Sequence, residues 1–229
     1  MSKTESEPDS LTKFVETLLV RSLIVLGVLF LVLYFQGKRP SSLWVSSSAR
    51  GADAPLAMRG GDPHIRALMR TISASESNVS NPYSVMYGGE RISDLSQHPD
   101  RCITISAGPN TGDCTTAAGR FQFITTTWDL RARQYHPSPY GFLVWSRYSF
   151  EPEYQDEVVY RWLNDRSEWG TDLRRLLKQG KINTVLEMLS GTWTSLGYGI
   201  EDNSMSSELP RVYQRVLREE LKQTASNSQ

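Results

Sequence analysis

Hydrophobic positions divide the chain into one continuous apolar run near its start and periodic stretches after residue 62. Residues 22–35 read SLIVLGVLFLVLYF and carry no charge. As a helix this run spans about 21 Å, and starting it at residue 18, across Arg21, gives about 27 Å. Because every face of such a helix is apolar, the run predicts a transmembrane anchor over residues 18–36. A cleaved signal peptide is the alternative.

Polar segments flank the predicted anchor. Residues 1–17 form a charged N-terminal tail, and residues 37–61 are rich in Ser, Ala, Gly and Pro, which is typical of a flexible linker. Lys and Arg are equally frequent in the two near flanks, so the positive-inside rule does not orient the anchor. Residues 62–222 alternate apolar periodicity with turn signals and predict one folded domain. Residues 223–229 are small and polar and predict a disordered tail.

The first helix of that domain has clear start and end signals. Asp62 is a good N-cap, and Pro63 suits the first helical position. Apolar residues then follow at helical spacing, at Ile65, Leu68, Met69 and Ile72. The pattern stops near Ser75, so Glu76 is expected at or just past the helix end. A negative charge is unfavourable there, which favours the protonated form of this carboxyl group.

Short strands and further helices are predicted after this point. Residues 84–87 and 102–105 alternate beside Gly- and Pro-rich turns and indicate a small β region. Cys102 and Cys114 flank the second turn, and outside the cytoplasm a disulfide is favoured over two separate buried thiols. Helices are predicted over 125–135, 153–163, 172–177, 182–189 and 210–221, with N-caps at Thr125, Thr171 and Asn183. Three tryptophans are expected in the core, at Trp128, Trp162 and Trp193.

Composition and motifs exclude several classes of protein. Lys+Arg and Asp+Glu are both 25, so no net charge recruits nucleic acid, and 39% hydrophobic residues are too many for a wholly disordered chain. The chain lacks a phosphate-binding loop, an H-E-x-x-H motif and a G-x-S-x-G motif. The three histidines have no metal-ligand spacing. We therefore expect neither a metal nor a cofactor.

Five segments occur in an order that resembles the phage lambda lysozyme family. They are SASESN (73–78), ISDLSQHP (92–99) after a Gly pair, AAGRFQF (117–123), FEPEYQD (150–156) and TWTSLGYG (192–199). The family comprises soluble lytic transglycosylases. The resemblance covers nearly all of residues 62–222 and implies a lysozyme-like α+β fold, mainly helical with a small β-hairpin region, here preceded by one transmembrane helix. It also implies that Glu76 is the single catalytic acid and that Gln122 and Tyr198 bind the saccharide.

The resemblance further implies a reaction on peptidoglycan glycan strands. Glu76 would protonate the oxygen of the β-1,4 bond between N-acetylmuramic acid and N-acetylglucosamine, then accept the C6 hydroxyl proton as a 1,6-anhydro ring forms. A hydrolytic lysozyme instead needs a second carboxylate, about 5 Å away if retaining and about 6.5–9.5 Å away if inverting. Asp94 and Glu90 are candidates, although capping a turn is the preferred interpretation of Asp94. A non-catalytic peptidoglycan-binding module is the third possibility. His98 and Arg120 are expected to be structural, Arg120 by pairing with an acid or a carbonyl.

The substrate also predicts the location. Peptidoglycan lies outside the cytoplasmic membrane, so the N-terminus is expected inside and the domain outside. We therefore expect a single-pass protein of the bacterial inner membrane whose catalytic domain is extracytoplasmic.

Overall fold

The computed structural model describes residues 54–226, except residues 78, 107, 109, 143–144 and 200–204. The predicted anchor over residues 18–36, the tail before it and the first part of the linker lie outside the described residues. Within the described part of the chain, no helix combines the length and the apolar character needed to cross a bilayer.

Helices make up most of the described chain. They are α1 (Pro63–Glu76), α2 (Thr125–Tyr135), α3 (Pro152–Asn164), α4 (Arg166–Trp169), α5 (Leu173–Lys178), α6 (Ile182–Ser190) and α7 (Leu209–Ser226). Single 3₁₀ turns occur at Pro82–Ser84, Tyr87–Gly89, Thr194–Leu196 and Ser206–Glu208. Two antiparallel hairpins pair β1 (Ile103–Thr104) with β2 (Cys114–Thr115) and β3 (Tyr140–Phe142) with β4 (Trp145–Arg147). The predicted α+β arrangement, mainly helical with a small β region, is confirmed.

The predicted helices are all present, but three predicted N-caps are wrong. The observed N-cap residues are Ile124, Asp172 and Lys181, in place of Thr125, Thr171 and Asn183. Asp172 accepts a hydrogen bond from Arg175 N at 3.0 Å. A carboxylate is a stronger acceptor for a helix N-terminus than the neighbouring threonine hydroxyl. The hydroxyl of Thr125, predicted to cap the N-terminus of α2, instead donates a hydrogen bond to Asp100 at 2.7 Å. A residue distant in sequence thus binds the hydroxyl.

The β region is smaller than predicted at one place and larger at another. The expected strand at 84–87 reduces to isolated bridges at Val85 and Met86, because 3₁₀ turns lie on both sides of them. The hairpin of β3 and β4 has no counterpart in the sequence prediction. The predicted disulfide between Cys102 and Cys114 is confirmed, and it closes the loop between β1 and β2.

Helix α1 lies at the centre of the core. Its four periodic apolar residues are fully buried, and it packs against α7, α3 and α5. Arg66 and Arg70 of α1 both bind Glu220 of α7, at 2.5 and 2.9 Å, and Glu220 is only 2% exposed. Breaking such a buried pair leaves an uncompensated charge, so the two helices are tightly coupled. The three predicted core tryptophans are also buried.

The end of the predicted linker packs on the domain. Leu56 and Met58 are buried in the core cluster, although the composition of residues 37–61 predicted a flexible segment. Asp156 of α3 accepts hydrogen bonds from Ala57 N at 2.6 Å and from Met58 N at 3.1 Å. Residues 54–58 of the predicted linker therefore pack on the folded domain, because buried polar groups far along the chain bind this segment.

Candidate active site

A cleft of about 900 Å³ runs across the end of α1. It is large enough for an extended ligand, since pockets for small molecules commonly measure about 300–1,000 Å³. The lining residues come from the end of α1, the 3₁₀ turn at 87, the loop after β1, residues 115–127 and residues 192–195. Three of the five segments of the resemblance thus meet at one cleft.

Glu76 lies in this cleft as the last residue of α1. The helix ends there because Ser77 leaves helical geometry while its N–H still donates to Ser73 O. The Ser77 hydroxyl donates to Arg120 O at 2.8 Å, which ties the helix end to the segment 117–123. The sequence prediction that Glu76 ends the first helix is confirmed, and its side chain faces the space where a ligand can bind.

Two serine hydroxyls lie beside Glu76. The Ser195 hydroxyl is within hydrogen-bond distance of Glu76 Oε1 and lies 3.1 Å from Ser75 Oγ. Ser75 itself donates to Ile72 O at 3.0 Å, which is a bond back into the same helix. In the sequence, Ser75 was noted only as the end of the helical pattern and Ser195 was not noted, although the two belong to the quoted segments SASESN and TWTSLGYG.

A tight turn carries Gln122 into the cleft. Ala118 and Phe123 form a bridge, and Gly119 between them has a positive φ of 73°. A Cβ at Gly119 would approach Phe150 Cζ to 2.7 Å, so the turn requires glycine. Gln122 also has a positive φ, 47°, and its side-chain nitrogen donates to Gly119 O at 2.9 Å. Its side-chain oxygen is then the atom that can accept a hydrogen bond from a sugar hydroxyl.

Tyr198 is not one of the described residues that line the cleft. It follows the 3₁₀ turn at 194–196 in a left-handed conformation and is 46% exposed. Partial burial, with a smaller contribution from the charge of Glu187, raises the pKa of its phenol above the usual range. Saccharide binding by Tyr198 stays a prediction.

The two candidates for a second acid also lie outside the lining. Asp94 is exposed, and its carboxylate accepts a hydrogen bond from Ser96 N at 2.8 Å, which lowers its pKa. It therefore caps a turn, as the preferred interpretation expected. Glu90 is half-exposed and forms an ion pair with Arg101 at 2.6 Å. Among the residues that the structure describes, no group of His, Cys, Asp and Glu could hold a metal ion.

His98 and Arg120 have the structural roles expected of them. The ring of His98 is buried, with Nε2 2.8 Å from Phe123 O and Nδ1 accepting from Asp100 N. Arg120 is fully buried and donates to Pro55 O at 2.9 Å, and thus pairs with a carbonyl. It also donates to Tyr83 Oη at 2.8 Å. Tyr83 and Asp156 could not be predicted from the sequence, because no local pattern marks a tyrosine or an aspartate as buried.

Residues 66–218 match the family described as Endolysin. The chain belongs to the endolysin family. It is 26% identical over 132 residues to the endolysin of Escherichia phage lambda, a match that covers 56% of this chain and 72% of that one.

Two solved structures share the fold of this endolysin. One is bacteriophage lambda lysozyme complexed with a chitohexasaccharide, with a TM-score of 0.51 and 23% identity over 69% of this chain and 97% of that one. The other is lysozyme from bacteriophage lambda, with a TM-score of 0.50 and 22% identity over the same shares of the two chains. The fold is therefore lysozyme-like, and this endolysin is a peptidoglycan-cleaving enzyme of the lysozyme-like glycosidase class.

Proposed function

We propose that this endolysin is a lytic transglycosylase that uses Glu76 first as acid and then as base. The observation that carries the proposal is the lining of the cleft. Glu76 is the one carboxylate among its described lining residues, whereas Asp94 and Glu90 bind their own neighbours elsewhere. A reaction whose nucleophile comes from the substrate itself requires one such group, and a usual hydrolase requires two.

The chemistry follows from the two protonation states of one side chain. Protonated Glu76 gives its proton to the glycosidic oxygen between N-acetylmuramic acid and N-acetylglucosamine, and the bond from that oxygen to the anomeric carbon breaks. The C6 hydroxyl oxygen of the muramoyl residue then bonds to the anomeric carbon. Its proton passes to the Glu76 carboxylate, which restores the acid. The products are a new N-acetylglucosamine end and a 1,6-anhydro-muramoyl end, and no water is consumed.

The cleft also suits a glycan strand. Its volume of about 900 Å³ exceeds the needs of one sugar, and the aromatic ring of Tyr87 lines it together with the amide of Gln122. Aromatic faces and amides commonly bind saccharides by stacking and hydrogen bonds. One of the solved structures that share the fold is of a chitohexasaccharide complex, which supports binding of a linear glycan.

Mass spectrometry of the products tests the proposal. The full-length protein in detergent is incubated with purified peptidoglycan, and the muropeptides are then analysed. We expect 1,6-anhydro-muramoyl ends, with Glu76→Gln reducing their rate by at least about a thousandfold because the amide cannot donate and recover a proton at this position. Asp94→Asn is the matched control, and it should retain activity because Asp94 lies outside the cleft.

Other results would contradict the proposal in different ways. Reducing ends that incorporate ¹⁸O from labelled water would indicate a hydrolase. Normal lysis by Glu76→Gln would mean that another residue is the acid. Retained glycan binding without any product from the unaltered protein would favour a non-catalytic peptidoglycan-binding module.

We further propose that residues 18–36 anchor the enzyme in the bacterial inner membrane, with the catalytic domain on the extracytoplasmic side. The uncharged apolar run supports the anchor, and the disulfide between Cys102 and Cys114 supports an oxidising compartment. In fractionated cells the full-length protein should remain in carbonate-washed membranes and be digested by protease added outside spheroplasts. Protection from that protease, or release of the intact chain by carbonate, would refute this arrangement.

A further inference from the structure

The immediate surroundings of Glu76 contain a feature that the single-acid mechanism does not by itself explain. A residue that acts as acid and then as base must be held in place in both protonation states. Ser195 and Ser75 are the described neighbours whose hydroxyl groups form a chain beside the carboxyl group. The chain runs from Ile72 O through Ser75 and Ser195 to Glu76 Oε1.

We propose that Ser195 is a positioning residue that transfers its hydroxyl hydrogen bond between Ser75 Oγ and Glu76 Oε1 as Glu76 loses and regains its proton. This inference rests on the proposed function, in which Glu76 is both acid and base. In this role Ser195 acts through Glu76 and does not itself contact the sugar.

The number of hydroxyl hydrogens available supports this transfer of the Ser195 hydrogen bond between two acceptors, which we call the switch. A serine hydroxyl has one hydrogen to donate. Ser75 directs its hydrogen to Ile72 O at 3.0 Å, so towards Ser195 it can only accept. Ser195 thus faces two acceptors, Ser75 Oγ and Glu76 Oε1, and its one hydrogen can serve only one of them well.

The choice between the acceptors depends on the charge of Glu76. A carboxylate accepts a much stronger hydrogen bond than a neutral oxygen, so the hydrogen of Ser195 turns to Glu76 after proton transfer. When Glu76 is protonated, its oxygen is a weaker acceptor and Ser75 can take the hydrogen instead. The Ser195 bond therefore stabilises the carboxylate formed when the glycosidic oxygen is protonated, and it holds Oε1 in place in that state.

The backbone around Ser195 is rigid enough for this role. Ser195 lies in the 3₁₀ turn Thr194–Leu196, whose Leu196 is fully buried. Trp193, next to it, donates from its indole nitrogen to Phe121 O at 3.3 Å. Only the hydroxyl torsion must change, and that rotation moves no heavy atom.

The pH dependence of cleavage by the full-length protein tests the proposal. Cleavage needs protonated Glu76, so the rate falls on the alkaline side as this group ionises. In Ser195→Ala the carboxylate loses its donor and ionisation becomes harder. We expect the alkaline limb to move up by about one pH unit and the maximal rate to fall about tenfold. Ser195→Thr keeps a hydroxyl and should restore both values towards those of the unaltered protein.

Ser75→Ala should move the limb in the opposite direction. It removes the alternative acceptor that Ser195 uses when Glu76 is protonated, so the ionised form of Glu76 becomes more stable relative to the protonated form. The alkaline limb should therefore move to lower pH. A general loosening of the site would not produce shifts of opposite sign. Ser190→Ala is the matched control, since it removes a hydroxyl that donates to Glu187 O at 2.7 Å, away from the cleft. It should leave the profile unchanged.

The outcomes separate this inference from the proposed function. If Glu76→Gln is inactive while Ser195→Ala keeps the normal profile, the proposed function stands and the role of Ser195 is refuted. If both serine variants shift the limb in one direction, the switch between acceptors is refuted. If Glu76→Gln remains active, the proposed function itself fails. Thermal unfolding of each variant verifies that the protein is folded.

Discussion

Gln122 has a strained backbone conformation, and the nitrogen of its side-chain amide already forms a hydrogen bond within the protein. Its φ of 47° is a conformation that glycine adopts more easily, while its amide nitrogen is held by Gly119 O. Such strain persists where the surroundings over-determine it, and it is concentrated at functional sites. The resemblance pointed to Gln122, and the turn explains why a side chain in this unusual conformation faces the cleft.

At this scale we predict that Gln122→Gly reduces glycan binding without unfolding the protein. Glycine relieves the backbone strain, so the free energy of unfolding should change by less than about 1 kcal/mol. Loss of one neutral hydrogen bond to the sugar should raise KM about fivefold. Steady-state kinetics and urea denaturation measure the two effects.

Asp100→Gly provides the matched control for that experiment. Asp100 has a similar positive φ, 45°, but does not line the cleft, so KM should stay unchanged. If Gln122→Gly binds glycan normally, Gln122 serves the turn and not the substrate.

At the scale of elements, the segment before α1 is held by a buried polar network. The Tyr83 hydroxyl donates to Asp156 at 2.7 Å and accepts from Ala57 N at 2.9 Å and from Arg120 at 2.8 Å. Burial raises the pKa of Asp156 and that of Tyr83. The network joins the chain before α1 to α3 and to the 117–123 turn, and thus to the elements that border the cleft.

Tyr83→Phe should therefore destabilise the domain by about 2 kcal/mol, because it leaves several buried polar groups without one of their partners. Denaturation of the full-length protein measures this loss. Cleavage by a protease near residues 54–58 should also become faster, since the segment is released. Tyr154→Phe removes the hydroxyl of a partly buried residue outside the network, so it should change the free energy of unfolding by no more than about 0.5 kcal/mol and leave the rate of proteolysis unchanged. Equal effects of the two variants would contradict the role of the network.

At the scale of the whole molecule, histidines whose pKa is lowered by burial or partial burial make stability depend on pH. Burial is the main cause that lowers the pKa of His98 below its usual 6.5, and the same holds for His64 and His136. The unfolded chain therefore takes up these protons first as the pH falls through 6.5. The contribution of these groups to stability is fully present above that pH and decreases on acidification, by up to about 1.4 kcal/mol per pH unit for the well-buried His98.

We predict that His98→Gln flattens this dependence between pH 6.5 and 5. Glutamine can still donate to Phe123 O, but it cannot take up a proton. Urea denaturation across this range should show a smaller loss of stability on acidification than in the unaltered protein. His64→Gln should have a smaller effect, because His64 is only partly buried, whereas His98 is 5% exposed. An unchanged slope in His98→Gln would show that His98 is not buried as the neutral ring.

The sequence by itself determined the features that depend on neighbours along the chain. Helical periodicity, the Asp62 cap, the hairpin disulfide and the position of Glu76 at a helix end all follow from interactions over a few residues, or twelve in the case of the disulfide. Where local signals compete, as at Thr125, the prediction failed because a tertiary partner took the hydroxyl.

Only the tertiary structure decided which distant residues meet. Ser195 reaches Glu76 across 119 positions of sequence, and Asp156 reaches Ala57 across 99. No local pattern encodes such contacts, because they arise when the apolar faces of α1 and its neighbours are buried together. Packing of the core thus places the side chains of the cleft next to one another, whereas the local sequence determines the helix, turn or strand that carries each of them.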